Sequence, residues 1–155
     1  MLYILFECFC VFKLPQYKFN YLQKNLIEHL KAFDIKLVNL QYGDVSHIIS
    51  KIKSDYGVDI IEINGLDIFN DIDGLAALIS ACDYVISTTN LTPHLAGAMG
   101  IETKLLLPQI ANEIWGLQTE DSYLYQTIKL YRQPINGDWT EPLMKLINDL
   151  RLLLK

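Results

Sequence analysis

The chain has 155 residues, of which 51% are apolar and 20% charged, and its formal net charge is −5. That length suits one domain with a real core, and the composition excludes a disordered or low-complexity chain. The acidic balance, with no Lys/Arg cluster, argues against a nucleic-acid partner, because phosphate backbones need a basic surface.

Met1 to Phe12 reads MLYILFECFCVF. A membrane-spanning helix needs about 20 apolar residues, and Glu7 interrupts this run, so no transmembrane span is expected. The basic start and small-residue cleavage site of a secretory signal are missing. Residues 1–16 therefore read as an apolar leader, either a buried strand or a poorly ordered segment. A membrane-touching anchor and the remnant of a longer chain are the other readings. Cys8, Cys10 and Cys82 form neither an even set nor a CxxC, which points to a reduced, cytoplasmic compartment. An anchoring leader would make the protein peripheral at the inner membrane.

Residues 17–155 read as a single domain. Phe19, Leu22, Leu26, Ile27 and Leu30 form one helical stripe within 17–33. Ile35–Leu40 is a short strand-like run, and Gln41–Asp44 a turn with Asp44 placed as an N-cap. A helix over Val45–Tyr56 should close on Gly57. Val58–Ile63 is strand-like, Asp73 opens and caps a helix that runs to Cys82, and Tyr84–Ser87 is a buried strand. After the polar loop Thr88–Thr92, a helix runs through Met99, with Thr92 as N-cap and Pro93 in its first position. Thr103–Leu107 is a strand ended by Pro108; Gln109–Gly137 reads as irregular and rich in aromatics; Thr140–Leu154 is an amphipathic helix. Apolar strands alternating with helices predict a doubly wound α/β domain with a parallel sheet.

In such a domain ligands bind beyond the carboxyl ends of the strands. The loop Thr88–Thr92 runs from a strand into a helix whose first amides and positive dipole end suit a phosphate. Thr89, Asn90 and Thr92 add hydroxyl and amide groups, although plain helix capping explains the same residues. His94 falls in the first turn, where the dipole disfavours imidazolium, so a neutral ring is expected. A merely packed histidine is the alternative. Neither GxGxxG nor GxxxxGK[ST], GxSxG or HExxH occurs. No metal or cofactor is expected.

The run from Asp71 through Tyr84-Val-Ile-Ser87 to Thr88-Thr-Asn-Leu-Thr-Pro-His94 and Gly100 is followed by Leu105-Leu-Leu-Pro108, Trp115, Asp121-Ser-Tyr-Leu-Tyr125, Leu130-Tyr-Arg-Gln133 and Gly137-Asp-Trp139. This ordered set resembles the C-terminal domain of tetratricopeptide-linked bacterial glycosyltransferases, relatives of the heptosyltransferase-like (family 9) and O-GlcNAc-transferase-like enzymes. The resemblance implies a Rossmann-like half of a GT-B enzyme that binds a nucleoside-diphosphate sugar. Thr89, Asn90, Leu91, Thr92 and His94 would hold the donor diphosphate, with His94 stabilising the leaving group. Gln41 would face the cleft, Pro108 would lie near the base, and Trp115 with Asp121–Tyr125 would shape the rim. Tyr42 stands where relatives often carry a basic residue. The resemblance also implies an acceptor domain, from the same protein or a partner, to complete an inverting transferase. A non-catalytic binding module and an inactive fragment are the alternatives.

Overall fold

The computed structural model describes residues 2–6, 26–41, 43–117 and 119–153. Strand β1 is Leu2–Phe6 and β2 is Ile35–Asn39, with helix α1 (residues 26–30) between them. Helix α2 (Ser46–Tyr56), β3 (Ile60–Ile61), α3 (Ile72–Ser80) and β4 (Tyr84–Ser87) follow. Helix α4 (Leu91–Ala98), β5 (Thr103–Leu107), the 3₁₀ turn η1 (Glu113–Trp115), β6 (Ile128–Arg132) and α5 (Thr140–Leu153) complete the order. The strands form one sheet in the order β3-β2-β1-β4-β5-β6, every pair parallel. This is the doubly wound α/β domain that the alternating pattern predicts.

The apolar strand runs follow from burial on both faces. Side chains alternate across a strand, so Leu37, Ile86, Leu106 and Tyr131 pack on one face with Leu26 and Leu30 of α1 and Leu143, Leu146 and Leu150 of α5. Their neighbours Val38 and Val85 pack on the other face with Leu75 and Ile79 of α3 and Ala96 of α4. On that same face Leu105, Leu107 and Leu130 pack around Trp115.

Residues 2–6 take the strand reading of the amino-terminal run. Leu2–Phe6 pairs with β2 on one side and β4 on the other, so the sheet includes residues ahead of position 17. Cys8, Cys10 and most of the 17–33 helix lie outside the described residues.

Three local expectations shift. Within the stretch read as irregular, Ile128–Arg132 forms the edge strand β6. Its outward face is then covered by α5, and Asp149 receives both Tyr131 Oη at 2.7 Å and Lys129 Nζ at 2.8 Å. The cap of α3 is Asp71, which accepts from Gly74 N at 2.8 Å, rather than Asp73. Val45 holds the N-cap position of α2, while Asp44 accepts from Ser46 N at 3.0 Å just outside it. Gly57 does close α2, at φ 69°, with its amide on Lys53 O. No helix among the described residues is long and apolar enough to cross a membrane.

Candidate functional site

Because all strands run the same way, Gln41 after β2, Thr88 after β4, Pro108 after β5 and Arg132 ending β6 share one edge of the sheet. Strand order reverses between β1 and β4, and a crevice at that point is where doubly wound folds bind ligands.

The β4–α4 junction lies at this point. Ser87 and Thr88 are buried, and the Thr88 hydroxyl has no hydrogen-bond partner among the described residues. Asn90 is extended, at φ −155° and ψ −157°, and its side chain accepts from Thr92 N at 2.8 Å. The N-cap of α4 is therefore Asn90, not Thr92, and Pro93 falls at the third helical position instead of the first. A proline is tolerated throughout the first turn, since no amide there needs a helical acceptor. This cap has a consequence for anions. Thr92's amide is already used and Pro93 has none, so this helix start offers an outside anion fewer amides than an uncapped one would. Leu91 is 53% exposed at that end.

His94 sits in an aromatic cluster assembled from three parts of the chain. Its ring stacks on Trp115 with centroids 4.7 Å apart and planes at 29°. Tyr125 meets it edge-on, and the Tyr125 hydroxyl lies 3.2 Å from His94 Nδ1. Trp115 is almost wholly buried, so it supports the His94 ring from behind rather than forming an exposed rim. Gly97, one turn along α4, makes the close approach possible: a Cβ there would lie 2.5 Å from Tyr125 Cγ. Arg132 fixes the far side of the cluster by donating to the carbonyls of Trp115 and Gly116. Burial moves its guanidinium below its ordinary pKa, without removing the charge.

A second feature on the same edge is a groove of about 450 Å³ lined by Asn39, Gln41, Glu62, Asp67 and Phe69, among others. Asn39 fixes Gln41 by accepting from its backbone amide at 3.0 Å and donating to its carbonyl at 3.2 Å. Asp67 organises the loop after β3; the Asn70 side chain, then the amides of Asn70 and Phe69, hold its carboxyl below the ordinary range. Among the described residues no Lys or Arg lines this groove.

The structure thus gathers Thr89, Asn90, Leu91, Thr92, His94 and Trp115 around the start of α4. Gln41 belongs to the groove beyond β2, and Pro108 is half-buried where β5 ends. Asp121 is exposed and bridges to Lys129 in the antiparallel sense. Arg132 stands in the sequence only as part of the Leu130–Gln133 run and Tyr125 only as part of the expected rim; neither run shows that these side chains brace Trp115 and His94. Among the described residues no group of three or more His, Cys, Asp or Glu could hold a metal ion.

The backbone matches that of E. coli ADP-heptose lps heptosyltransferase II with a TM-score of 0.62 at 17% identity, over 99% of this chain and 46% of that one. The fold is glycosyltransferase-like. In sequence, the chain is 37% identical over 110 residues to Protein FlbA of Caulobacter vibrioides, which is 71% of this chain and 18% of FlbA. It spans less than a fifth of that curated relative and under half of the solved enzyme. No family model matches.

Proposed function

We propose that this chain is the donor-binding half of an inverting GT-B glycosyltransferase, holding a nucleoside-diphosphate sugar. One observation carries the reading: α4 opens at the strand-order reversal, with His94 braced in its first turn. The likeness of fold to an enzyme whose name includes ADP-heptose supports it. So does the buried Thr88 hydroxyl, which a bound ligand or water could satisfy.

In this reading the diphosphate meets the start of α4 at Leu91, the polar side chains of Thr89 and Thr92, and the His94 ring. The nucleoside lies near Pro108 where β5 ends, as the resemblance implies, while Gln41, held by Asn39, faces the cleft from beyond β2. An acceptor hydroxyl attacks the anomeric carbon while the bond to the diphosphate oxygen breaks. The charge that grows on that oxygen is met by the helix end and His94. The acceptor and the base that takes its proton come from a second domain, of the same protein or of a partner; the tetratricopeptide context of the resemblance would belong to that larger protein. No metal is needed for this scheme.

Calorimetric titration with ADP, UDP and GDP tests it. Saturable binding of one nucleotide, weakened in His94→Ala, is expected. No binding of any of the three overturns the reading. In the complete enzyme, His94→Ala should lower turnover by ~10²–10³, the usual cost of one lost charge-stabilising donor.

A second reading, binding without transfer, is favoured by one observation. Among the described residues the groove is lined by Glu62 and Asp67 and by no Lys or Arg, so no cation among them offsets the diphosphate. Nucleotide binding with no sugar transfer by the full-length protein would select it.

A further inference from the structure

Histidine offers two ring nitrogens, and the partner of one decides the role of the other. Here Nδ1 faces the Tyr125 hydroxyl at 3.2 Å, while Nε2 has no protein partner among the described residues. A phenol O–H, with an ordinary pKa near 10, is a much stronger acid than a neutral imidazole N–H. The favoured direction is therefore phenol to nitrogen. The packing enforces this pairing. Gly97 leaves room for the Tyr125 ring, which a Cβ would strike at 2.5 Å, and Trp115 stacks on the imidazole at 4.7 Å to stop it turning.

We propose that Tyr125 is a positioning residue for His94: its hydroxyl donates to Nδ1, fixes the neutral ring with the proton on Nε2, and so makes Nε2–H the donor that meets a diphosphate oxygen. The ligand half of this statement rests on the donor-site reading above; the tautomer half does not. Without Tyr125, the ring would divide between its two neutral forms, and in one of them Nε2 could only accept. An acceptor nitrogen repels a phosphate oxygen instead of stabilising it.

The test is a long-range ¹H–¹⁵N correlation of the imidazoles in the full chain, at about pH 8, above the ordinary histidine range. His94 signals are assigned by their loss in His94→Asn. Wild type should show one form, with Nε2 protonated and Nδ1 bare. Tyr125→Phe keeps the ring that packs on Gly97, and should shift Nδ1 toward the value of an exchanging mixture. Protonation at Nδ1 in wild type, or unchanged nitrogen shifts in Tyr125→Phe, overturns the proposal. In the ligand arm, the nucleotide that binds best should bind Tyr125→Phe about 3–10-fold more weakly, and the double variant with His94→Ala no more weakly than His94→Ala alone. Independent, multiplying losses overturn the proposal. If wild type binds none of the three nucleotides, the donor-site reading fails and the nitrogen shifts alone decide the role of Tyr125.

Discussion

Arg132 donates from Nη2 to the carbonyl of Gly116 at 2.7 Å and to that of Trp115 at 3.1 Å. The last residue of β6 thereby caps the short turn that carries Trp115, and Trp115 in turn backs His94. A charged hydrogen bond contributes about 1.5–3 kcal/mol. Arg132→Met should lower stability by about that amount and expose the indole, seen as a red shift and easier quenching of Trp115 fluorescence in a Trp139→Phe background. Arg132→Lys keeps the charge and a nitrogen able to donate to both carbonyls, but on a shorter, non-planar group, and should fall between.

Gly97→Ala sets two effects against each other. Alanine favours a helix interior by ~1 kcal/mol over glycine. The new methyl would meet Tyr125 at 2.5 Å and Ile128 at 2.9 Å, and overpacking costs about 1–3 kcal/mol. The clash should win. The urea midpoint should fall, and the Tyr125–His94 pairing should be lost from the nitrogen shifts described above. A variant as stable as wild type with the pairing intact would show that the loop before β6 yields easily.

Asn90 serves the helix before it can serve a ligand. Asn90→Ala removes the acceptor of Thr92 N and should cost about 0.5–2 kcal/mol. Asn90→Asp keeps the cap, so its unfolding midpoint should stay near that of wild type, but it sets a carboxylate against any anion. Nucleotide affinity should therefore drop in Asn90→Asp with little loss of stability. Equal losses of both would mean that position 90 acts on the fold alone.

Asp149 ties α5 to the edge strand, and its carboxyl is displaced by opposing causes. Burial raises its pKa, but hydrogen bonds from Lys129 and Tyr131 outweigh this and hold it below the ordinary 3.8. Tyr131 is pushed far upward, first by burial and then by that same bond. A carboxyl held lower in the folded chain stabilises at pH above its unfolded value, and the contribution disappears as pH falls through the folded value. Wild type should thus lose stability below about pH 4 more steeply than Asp149→Asn, whose stability should be lower at neutral pH. Urea midpoints measured between pH 7 and pH 3 check the sign.

The sheet could be read where both faces of a strand are buried. Val85 and Ile86, or Leu105 and Leu106, point opposite ways yet each finds a core, so the runs stay apolar and stand out. Strand β6 does not: as an edge strand it interleaves Lys129 and Arg132 with Ile128 and Leu130, and the pattern dissolves into its aromatic surroundings. Caps were misplaced by two residues at both α3 and α4, because Asp71 and Asp73, or Asn90 and Thr92, are chemically equal candidates until the backbone chooses. The start of α4 could be located from its strand–loop–helix order. Its supports could not. Tyr125 lies 31 positions from His94, and no local pattern reports a contact closed by tertiary packing.

Placing β1 in the middle of the sheet has a practical result. Since its strands share one direction, Leu2 and the other strand starts lie at the rim opposite α4's opening turn. A tether or bulky fusion joined ahead of Leu2 therefore departs from the far rim, and surface immobilisation through that end would leave the opposite rim turned toward solution.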